Sequence, residues 1–147
     1  MKIAIASDHG GFERKEQVKA HLLELGHQVQ DFGTYSTESC HYPQFGAAAA
    51  RAVARGECDR GIVICTTGIG MSIVANKVKG VRCALCSDEH CAEMTRHHNN
   101  ANVLAMGAVN TDQALACRLT DVFLSTEFDG GRHQTRVDMI SALEQEP

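Results

Sequence analysis

Short apolar runs alternate with longer amphipathic segments along the chain. The runs place apolar residues side by side rather than in strict polar alternation, which is typical of strands covered on both faces of a parallel sheet. The run 61–65 (GIVIC) is the clearest, because it is rich in β-branched residues and ends at a Gly-containing turn. Five strands are predicted, over residues 2–7, 29–32, 61–65, 81–86 and 103–106.

Helices are predicted between the strands and after the last one. After the first strand, apolar residues from Phe12 to Leu25 recur at near-helical spacing, and Gly26 follows where a left-handed cap is expected. The other predicted helices are 45–54, a helix that opens from the turn 66–72, 89–97, 112–124 and 132–143. Because strands alternate with helices and no hairpin signal occurs, we expect one α/β domain over residues 1–147. Its architecture is a three-layer α/β/α sandwich with a five-stranded parallel, Rossmann-like sheet and right-handed crossovers.

Composition and charge restrict the class of protein. A chain of 147 residues with 44% hydrophobic and 22% charged residues is typical of a globular domain with a full core. A net charge of -4 opposes the broad positive field that nucleic-acid binding requires, so no nucleic-acid partner is expected. No run reaches the roughly eighteen apolar residues of a membrane helix, and the start lacks a signal-peptide pattern, so no membrane association and a cytoplasmic location are predicted. Seven cysteines, an odd count, favour reduced thiols over a disulfide scaffold.

The predicted topology also says where a ligand should bind. In open parallel sheets ligands lie beyond the carboxyl ends of the strands. That rule selects three segments: 8–11 after the first strand, 65–72 after the third and 87–88 after the fourth.

The segment 65–72 places the thiol of Cys65 directly before a Gly-rich turn that opens a helix. Free amides in such a turn can stabilise a thiolate and can hold an anion, either a phosphate or a developing oxyanion. The alternative is that Cys65 is a small buried hydrophobe and that Gly68 and Gly70 merely permit a tight turn. The turn lacks the Lys of a phosphate loop, and Ile73 stands where a dinucleotide fold has its third Gly, so no nucleotide cofactor is expected.

Two further segments carry possible chemistry. The segment 97–100 (HHNN) follows a predicted helix at the amino end of the fifth strand, where it is either a solvated helix end or part of a site completed by another subunit. After a diglycine, Arg132 and Arg136 stand one helical turn apart, which suits a phosphate, although a solvated charged face is the alternative.

Cys83 and Cys86 lie three positions apart in one predicted strand and point to opposite faces, so no metal site is expected there.

Taken together, the motifs resemble a known family. Five segments carry the resemblance: 8–11 (DHGG), 42–43 (YP), 64–77 (ICTTGIGMSIVANK), 96–107 (RHHNNANVLAMG) and 130–137 (GGRHQTRV). They occur in one order over nearly the whole chain and are similar to the ribose-5-phosphate isomerase B family, which also contains allose-6-phosphate and galactose-6-phosphate isomerases.

This resemblance implies an aldose–ketose isomerase of a phosphorylated sugar, most directly of ribose 5-phosphate and ribulose 5-phosphate. It implies no metal and no cofactor, and a homodimer or a dimer of dimers with the active site at the subunit interface. By position, Cys65 resembles the base that moves a proton between C1 and C2, and Thr67 and His98 resemble groups that assist ring opening and proton transfer. The remaining residues implied by the resemblance are the enediolate cradle of Thr66, Thr67, Gly68, Ile69 and Gly70, the sugar contacts Asp8, Tyr42 and Asn99, and the phosphate contacts His9, Arg132 and Arg136.

Three positions refine this expectation. Some members use a Glu just after the glycines in place of the cysteine, and here that position is Met71, which leaves Cys65 as the base. Many members have an Arg where this chain has Val109, and the usual Gly after the cysteine is Thr66. These departures leave room for another substrate, such as allose 6-phosphate, galactose 6-phosphate or a four-carbon sugar phosphate.

The sequence also leaves open a non-catalytic sugar-phosphate-binding subunit and a thiol redox protein, although a redox protein would need a second cysteine near Cys65.

Overall fold

A computed structural model describes residues 1–147 and contains one five-stranded sheet. The strands are β1 (Lys2–Ser7), β2 (Gln28–Asp31), β3 (Arg60–Cys65), β4 (Cys83–Leu85) and β5 (Val103–Gly107). They pair in the order β2-β1-β3-β5-β4, and every pairing is parallel. The predicted parallel sheet is therefore confirmed.

Helices cover both faces of this sheet. The six α-helices are α1 (Phe12–Glu24), α2 (Tyr42–Ala54), α3 (Ile69–Asn76), α4 (Glu89–Asn99), α5 (Gln113–Ser125) and α6 (Arg132–Ala142), with short 3₁₀ turns at His9–Gly11 and Leu143–Gln145. Residues of α1, α4 and α5 form one apolar cluster with one face of the strands, and residues of α2 and α3 form a second cluster with the other face. The three-layer α/β/α sandwich is confirmed.

None of the helices has the length and apolarity needed to cross a membrane.

Several element ends differ from the prediction. Helix α2 begins at Tyr42 rather than at residue 45, since Pro43 stands in its first turn, where its missing N–H costs nothing. Strand β4 has only three residues instead of 81–86, because it is an edge strand that pairs with β5 alone. Helix α4 continues through Asn99 and ends at Asn100, which adopts the left-handed conformation with φ 46°. His98 and Asn99 therefore lie in the last turn of α4 instead of following the helix.

The chain changes direction between β1 and β3. From β1 it crosses to β2 on one side, and it then returns to place β3 on the other side, with Ser7 and Ile64 paired at the carboxyl ends. A crevice forms where neighbouring strands send their connections to opposite faces, and ligands bind at this point in open α/β sheets. The residues that follow β1 and β3 are therefore placed at the position where a ligand is expected.

A buried lysine fixes the segment after β2. Lys15 of α1 is fully buried, and its Nζ lies 2.7 Å from both carboxylate oxygens of Asp31. The same carboxylate binds Lys19 Nζ at 3.1 Å and accepts the Gly33 amide at 2.9 Å. Burial acts to raise the pKa of Asp31, but the bonds from Lys15, Gly33 and Lys19 outweigh it and hold that pKa below its usual value.

The segment held in this way lies against the end of β1. The Ser7 amide donates to the Gly33 carbonyl at 2.8 Å, and the Thr34 amide donates to the Ser7 carbonyl at 2.7 Å. Asp8 is the next residue after this pairing. The Lys15–Asp31 pair thus supports the backbone on which Asp8 is mounted.

A buried arginine fixes the end of α4 in a similar way. Arg96 is 3% exposed and has no carboxylate within ion-pair distance. It donates to the carbonyls of Thr126 at 3.1 Å and Ala101 at 2.6 Å and to the side chain of Asn100 at 2.9 Å. Burial, together with the positive charges of Arg60 and Arg82, lowers its pKa to about 10. The Arg96 guanidinium thus joins the last turn of α4 to the segment after α5.

We expect Asp31→Asn to lower the free energy of unfolding by about 3 kcal/mol at pH 7, because it leaves the Lys15 charge buried without its closest partner. Since the folded-state pKa of Asp31 is lowered, its contribution is present above the usual value of 3.8 and is lost as pH falls through the folded value. Urea unfolding at pH 7 and at acid pH measures both effects. Glu146→Gln, which removes an exposed charge of the same sign, is the control. Equal stability of Asp31→Asn and the wild-type protein at pH 7 would contradict this account.

We expect Arg96→Met to loosen the end of α4 and the segment 126–131 together. Each buried carbonyl left without a donor costs about 1–3 kcal/mol. Hydrogen exchange should become faster in peptides that cover 97–102 and 126–131 and stay unchanged in β1. Arg118→Met removes an exposed guanidinium that pairs with Glu89 and serves as the control. Faster exchange in only one of the two segments would show that Arg96 does not join them.

Candidate active site

A cleft of about 440 Å³ opens at the carboxyl ends of β1 and β3. It is lined by Asp8, Tyr42, Cys65, Thr66, Thr67, Ile69, Gly70 and Ile73. Seven of these eight residues are predicted site residues. The eighth, Ile73, lies one helical turn after Ile69 on α3, so the i, i+4 spacing of a helix face could have identified it.

Cys65 lies at the floor of this cleft as the last residue of β3. Its side chain is nearly buried, and the Gly68 amide donates to its Sγ at 3.2 Å. Such a donor interacts more strongly with a thiolate than with a thiol, because the acceptor is then charged. The position of Cys65 at the strand end, beside a cleft, favours chemistry over a purely structural role.

Gly68 gives the turn its shape. It adopts φ 79° directly before α3, and a Cβ built on it would lie 2.7 Å from the carbonyl carbon of Met106. Both the left-handed backbone and the contact with β5 therefore require glycine. The backbone amides of Thr66 and Thr67 donate to no acceptor within the chain. The turn thus presents two free N–H donors next to the Cys65 sulfur.

The residues after β5 hold this turn from behind. The Ala108 amide donates to the Cys65 carbonyl at 2.9 Å, and the Val109 amide donates to the Thr66 carbonyl at 3.0 Å. The carbonyl groups of the turn are thus used within the fold, while two of its amides stay available. This arrangement makes the turn a rigid donor of hydrogen bonds, which suits an anion or a developing oxyanion.

Asp8 and Tyr42 both line the cleft. Asp8 is 7% exposed, and its Oδ1 accepts the Gly11 amide at 3.0 Å, so one carboxylate oxygen is fixed in place. The ring of Tyr42 lies against Gly70, where an added Cβ would stand 2.7 Å from the ring. A carboxylate and a phenol that line one cleft can bind the hydroxyl groups of a polar ligand.

His9 lies next to Asp8 on the 3₁₀ turn after β1. Its Nδ1 accepts the backbone amide of Cys40 at 3.2 Å, which assigns the proton of the neutral ring to Nε2. The Cys40 sulfur is 3.8 Å from the same nitrogen. His9 can therefore offer one N–H donor to a ligand without losing its contact with the segment 33–41.

The other four predicted site residues lie away from the cleft of their own chain. His98 and Asn99 are exposed on the last turn of α4, and Arg132 and Arg136 are exposed on α6. The His98 ring stacks on the ring of His133 at 4.4 Å. The structure thus separates the predicted residues into two groups, one around Cys65 and one on α4 and α6.

Cys83 in β4 and Cys86 directly after it do not form a shared site. Cys86 belongs to the apolar cluster of α1, α4 and α5, whereas Cys83 packs against the cluster on the other face of the sheet. Burial raises the pKa of each thiol to about 12. The two thiols point to opposite faces, as their spacing predicts.

Known proteins resemble this chain in sequence and in fold. The family "Ribose/Galactose Isomerase" matches residues 3–140. Ribose-5-phosphate isomerase B of Escherichia coli strain K12 is 47% identical over 144 residues, which are 98% of this chain and 97% of the relative. The 4-deoxy-4-sulfo-D-erythrose isomerase of Clostridium sp. strain MSTE9 is 41% identical over 147 residues, which are 99% and 92% of the two chains. The solved structure of ribose-5-phosphate isomerase B from Clostridium thermocellum has a TM-score of 0.97 at 51% identity and covers 99% of this chain and 98% of that one.

These similarities extend over nearly the full length of the chain and of its relatives. They confirm the resemblance seen in the motifs around Cys65, His98 and Arg132. The chain belongs to the ribose/galactose isomerase family and is an aldose–ketose isomerase.

Proposed function

We propose that this isomerase interconverts ribose 5-phosphate and ribulose 5-phosphate through an enediolate, with Cys65 as the base. The observation that carries the proposal is the Cys65 sulfur next to the free amides of Thr66 and Thr67 in the cleft. A proton on carbon beside a carbonyl can be removed only if the charge that develops on oxygen is stabilised. The Escherichia coli relative named ribose-5-phosphate isomerase B supports the choice of sugar.

In the proposed reaction the Cys65 thiolate removes the proton from C2 of the open-chain aldose. The C2–H electron pair forms the C1–C2 double bond, and the C1 carbonyl pair moves onto O1. The amides of Thr66 and Thr67 stabilise the charge on oxygen, and in other enzymes one such donor changes the rate by about a hundredfold or more. The Cys65 thiol then returns the proton to C1, while the O2 proton passes to O1 with help from the Thr67 hydroxyl. The product is a ketone at C2 and an alcohol at C1.

The proposal assigns the rest of the substrate to residues around the cleft. Asp8 and Tyr42 bind sugar hydroxyl groups, and the Nε2–H of His9 donates to the phosphate. Gly68, Ile69 and Gly70 complete the cradle through the backbone of the turn, in which the Gly68 amide holds the Cys65 sulfur and the Ile69 amide holds the Thr67 hydroxyl oxygen. No metal or cofactor takes part in these steps.

A second copy of the chain supplies the other group of residues in this proposal. His98 of the second copy assists ring opening, Asn99 binds the sugar, and Arg132 and Arg136 bind the phosphate. Two features support a homodimer or a dimer of dimers with a shared site. These four residues are exposed away from their own cleft, and the rim of the cleft is apolar, with Ile69 and Ile73 each more than half exposed.

Other sugar substrates form the second proposal. The Clostridium sp. strain MSTE9 relative carries a four-carbon sulfosugar in its name. The Thr66 hydroxyl stands where a Cβ on Gly10 would lie, so this side chain fills space beside the cleft. The filled space suits a four-carbon sugar phosphate. Allose 6-phosphate and galactose 6-phosphate, which the resemblance to the family implies, are the other alternative substrates. A cytoplasmic location belongs to the proposal as well, supported by seven cysteines without a disulfide.

A coupled assay over these four sugar phosphates tests the substrate, and ribose 5-phosphate should give the highest kcat/KM. On the best substrate, Cys65→Ala should lower kcat by about 10²–10⁴-fold with little change in KM, because it removes the proton-transferring group. Cys117→Ala, which removes a thiol outside the cleft, is the control and should keep its activity. Near-normal turnover by Cys65→Ala would show that another group is the base.

Mixing two inactive variants tests the shared site. A dimer of one Cys65→Ala chain and one His98→Asn chain holds one site with both groups intact, so refolding equal amounts together should restore about a quarter of the wild-type activity. A mixture of Cys65→Ala with the Cys65→Ala/His98→Asn double variant should stay inactive. Absence of recovery in assembled mixed dimers would contradict the shared site. Binding of sugar phosphates by the wild-type protein without turnover of any of them would favour a non-catalytic subunit.

A further inference from the structure

The exposed face of α4 and α6 carries a cluster that the proposed reaction uses only in part. Its members are His98 on α4, Asp129 in the segment before α6, and His133 in the first turn of α6, and we refer to them as the α4–α6 histidine cluster. One ligand atom from each residue lies within 4.8 Å of the other two. Two imidazoles and a carboxylate are a donor set that zinc and other divalent transition metals take readily.

The carboxylate of the cluster is already oriented. The Asp129 amide donates to the His97 carbonyl at 3.1 Å, and Asp129 Oδ1 lies 2.6 Å from His97 Nδ1. One carboxylate oxygen is therefore held by a histidine outside the cluster, and the other is available to a ligand. In metal sites, hydrogen bonds of this kind to a metal-binding side chain fix the orientation of that side chain.

The two imidazoles come from separate helices that contact each other. Their ring centroids are 4.4 Å apart with an angle of 13° between the planes. Zinc–nitrogen and zinc–oxygen bonds of about 2.0–2.2 Å require donor atoms that lie closer together than the limit of 4.8 Å found here. The side chain of His98 is exposed, so rotation about its side-chain bonds can bring a ring nitrogen closer to the other two ligand atoms.

The charges around the cluster act in both directions. Arg132 and Arg136 lie on the same helix and oppose a cation, while Asp129 and Glu93 next to His97 favour one. The opposing arginines lead us to expect weaker binding than at a structural zinc site.

We propose that His98, Asp129 and His133 form a reversible binding site for a divalent transition metal, best represented by Zn²⁺. Three protein ligands leave at least one coordination position for water. A metal-bound His98 cannot exchange a proton with the sugar, so the bound ion inhibits the enzyme. This second consequence rests on the proposed role of His98, whereas the binding site itself does not.

Calorimetric titration of the metal-free, full-length protein with Zn²⁺ at pH 7.5 tests the site. We expect one ion per chain, and we expect at least a tenfold weaker association for His133→Gln and for Asp129→Asn. Cobalt as a second probe should give the visible absorption of a bound ion in the wild-type protein and lose it in both variants. Unchanged Zn²⁺ affinity in His133→Gln would overturn the proposal.

Two control variants locate the ion. His90→Asn removes an exposed histidine beside Cys91 on the first turn of α4, and Cys65→Ala removes the thiol in the cleft. Both should bind Zn²⁺ as the wild-type protein does. Loss of the ion in either control would place it at His90 or at Cys65 and overturn the proposal.

Inhibition is measured separately from binding. Zn²⁺ should inhibit the wild-type enzyme, and a chelator should restore the activity. His133→Gln, compared with its own metal-free rate, should need at least ten times more Zn²⁺ for the same loss. If no sugar phosphate is turned over, the proposed function fails while the calorimetry still decides the metal site. If the enzyme is active but His133→Gln is inhibited like the wild type, the metal proposal alone fails.

Discussion

The hydrogen bond from the Gly68 amide to the Cys65 sulfur is the constraint on which the site depends. It exists because β3 ends at Cys65 and because Gly68 adopts a left-handed conformation that starts α3. The same turn directs its carbonyl groups toward the segment after β5 and leaves two amides free. The position of the Cys65 sulfur, the free amide donors and the cleft beside them therefore all follow from the course of one short backbone segment.

Two buried cations support the two groups of predicted site residues. Lys15 holds the segment after β2 through Asp31, and that segment supports the end of β1 next to Asp8. Arg96 holds the end of α4, where His98 and Asn99 are mounted, and joins it to the segment that leads to Arg132. In both places the charge lies inside the fold. Lys15 is paired with the carboxylates of Asp31 and Glu16, and Arg96 binds two backbone carbonyls and the side chain of Asn100. Rigid placement of polar groups at a site requires this kind of support from the layer behind them.

The sequence predicted those parts of the fold that depend on residues close to one another along the chain. The strand β3, the turn after it and the alternation of strands with helices follow from apolar runs and from glycine. The end of α4 was not placed, because the cap at Asn100 is left-handed and its side chain accepts from the buried Arg96, a contact that the pattern of α4 does not reveal. The short β4 could not be placed either, since its length depends on pairing with β5, which is distant in sequence.

The site was predictable to a similar extent. Residues next to β1 and β3 could be assigned to one crevice from topology alone, and Asp8 and Cys65 do line one cleft. The role of Lys15 was not predictable, because a lysine among the apolar positions of α1 gives no sign of its carboxylate partner in β2. The contact between His98 and His133 was also missed, since it depends on how α6 lies on α4.

The lengths of the outer strands affect how the protein associates. β2 and β4 form the two borders of the sheet and have four and three residues. Borders this short offer few unpaired backbone groups, so another chain cannot readily extend the sheet by adding a strand. Self-association by strand addition, the route to fibrils, is thereby disfavoured, and contacts between copies must use side-chain surfaces instead.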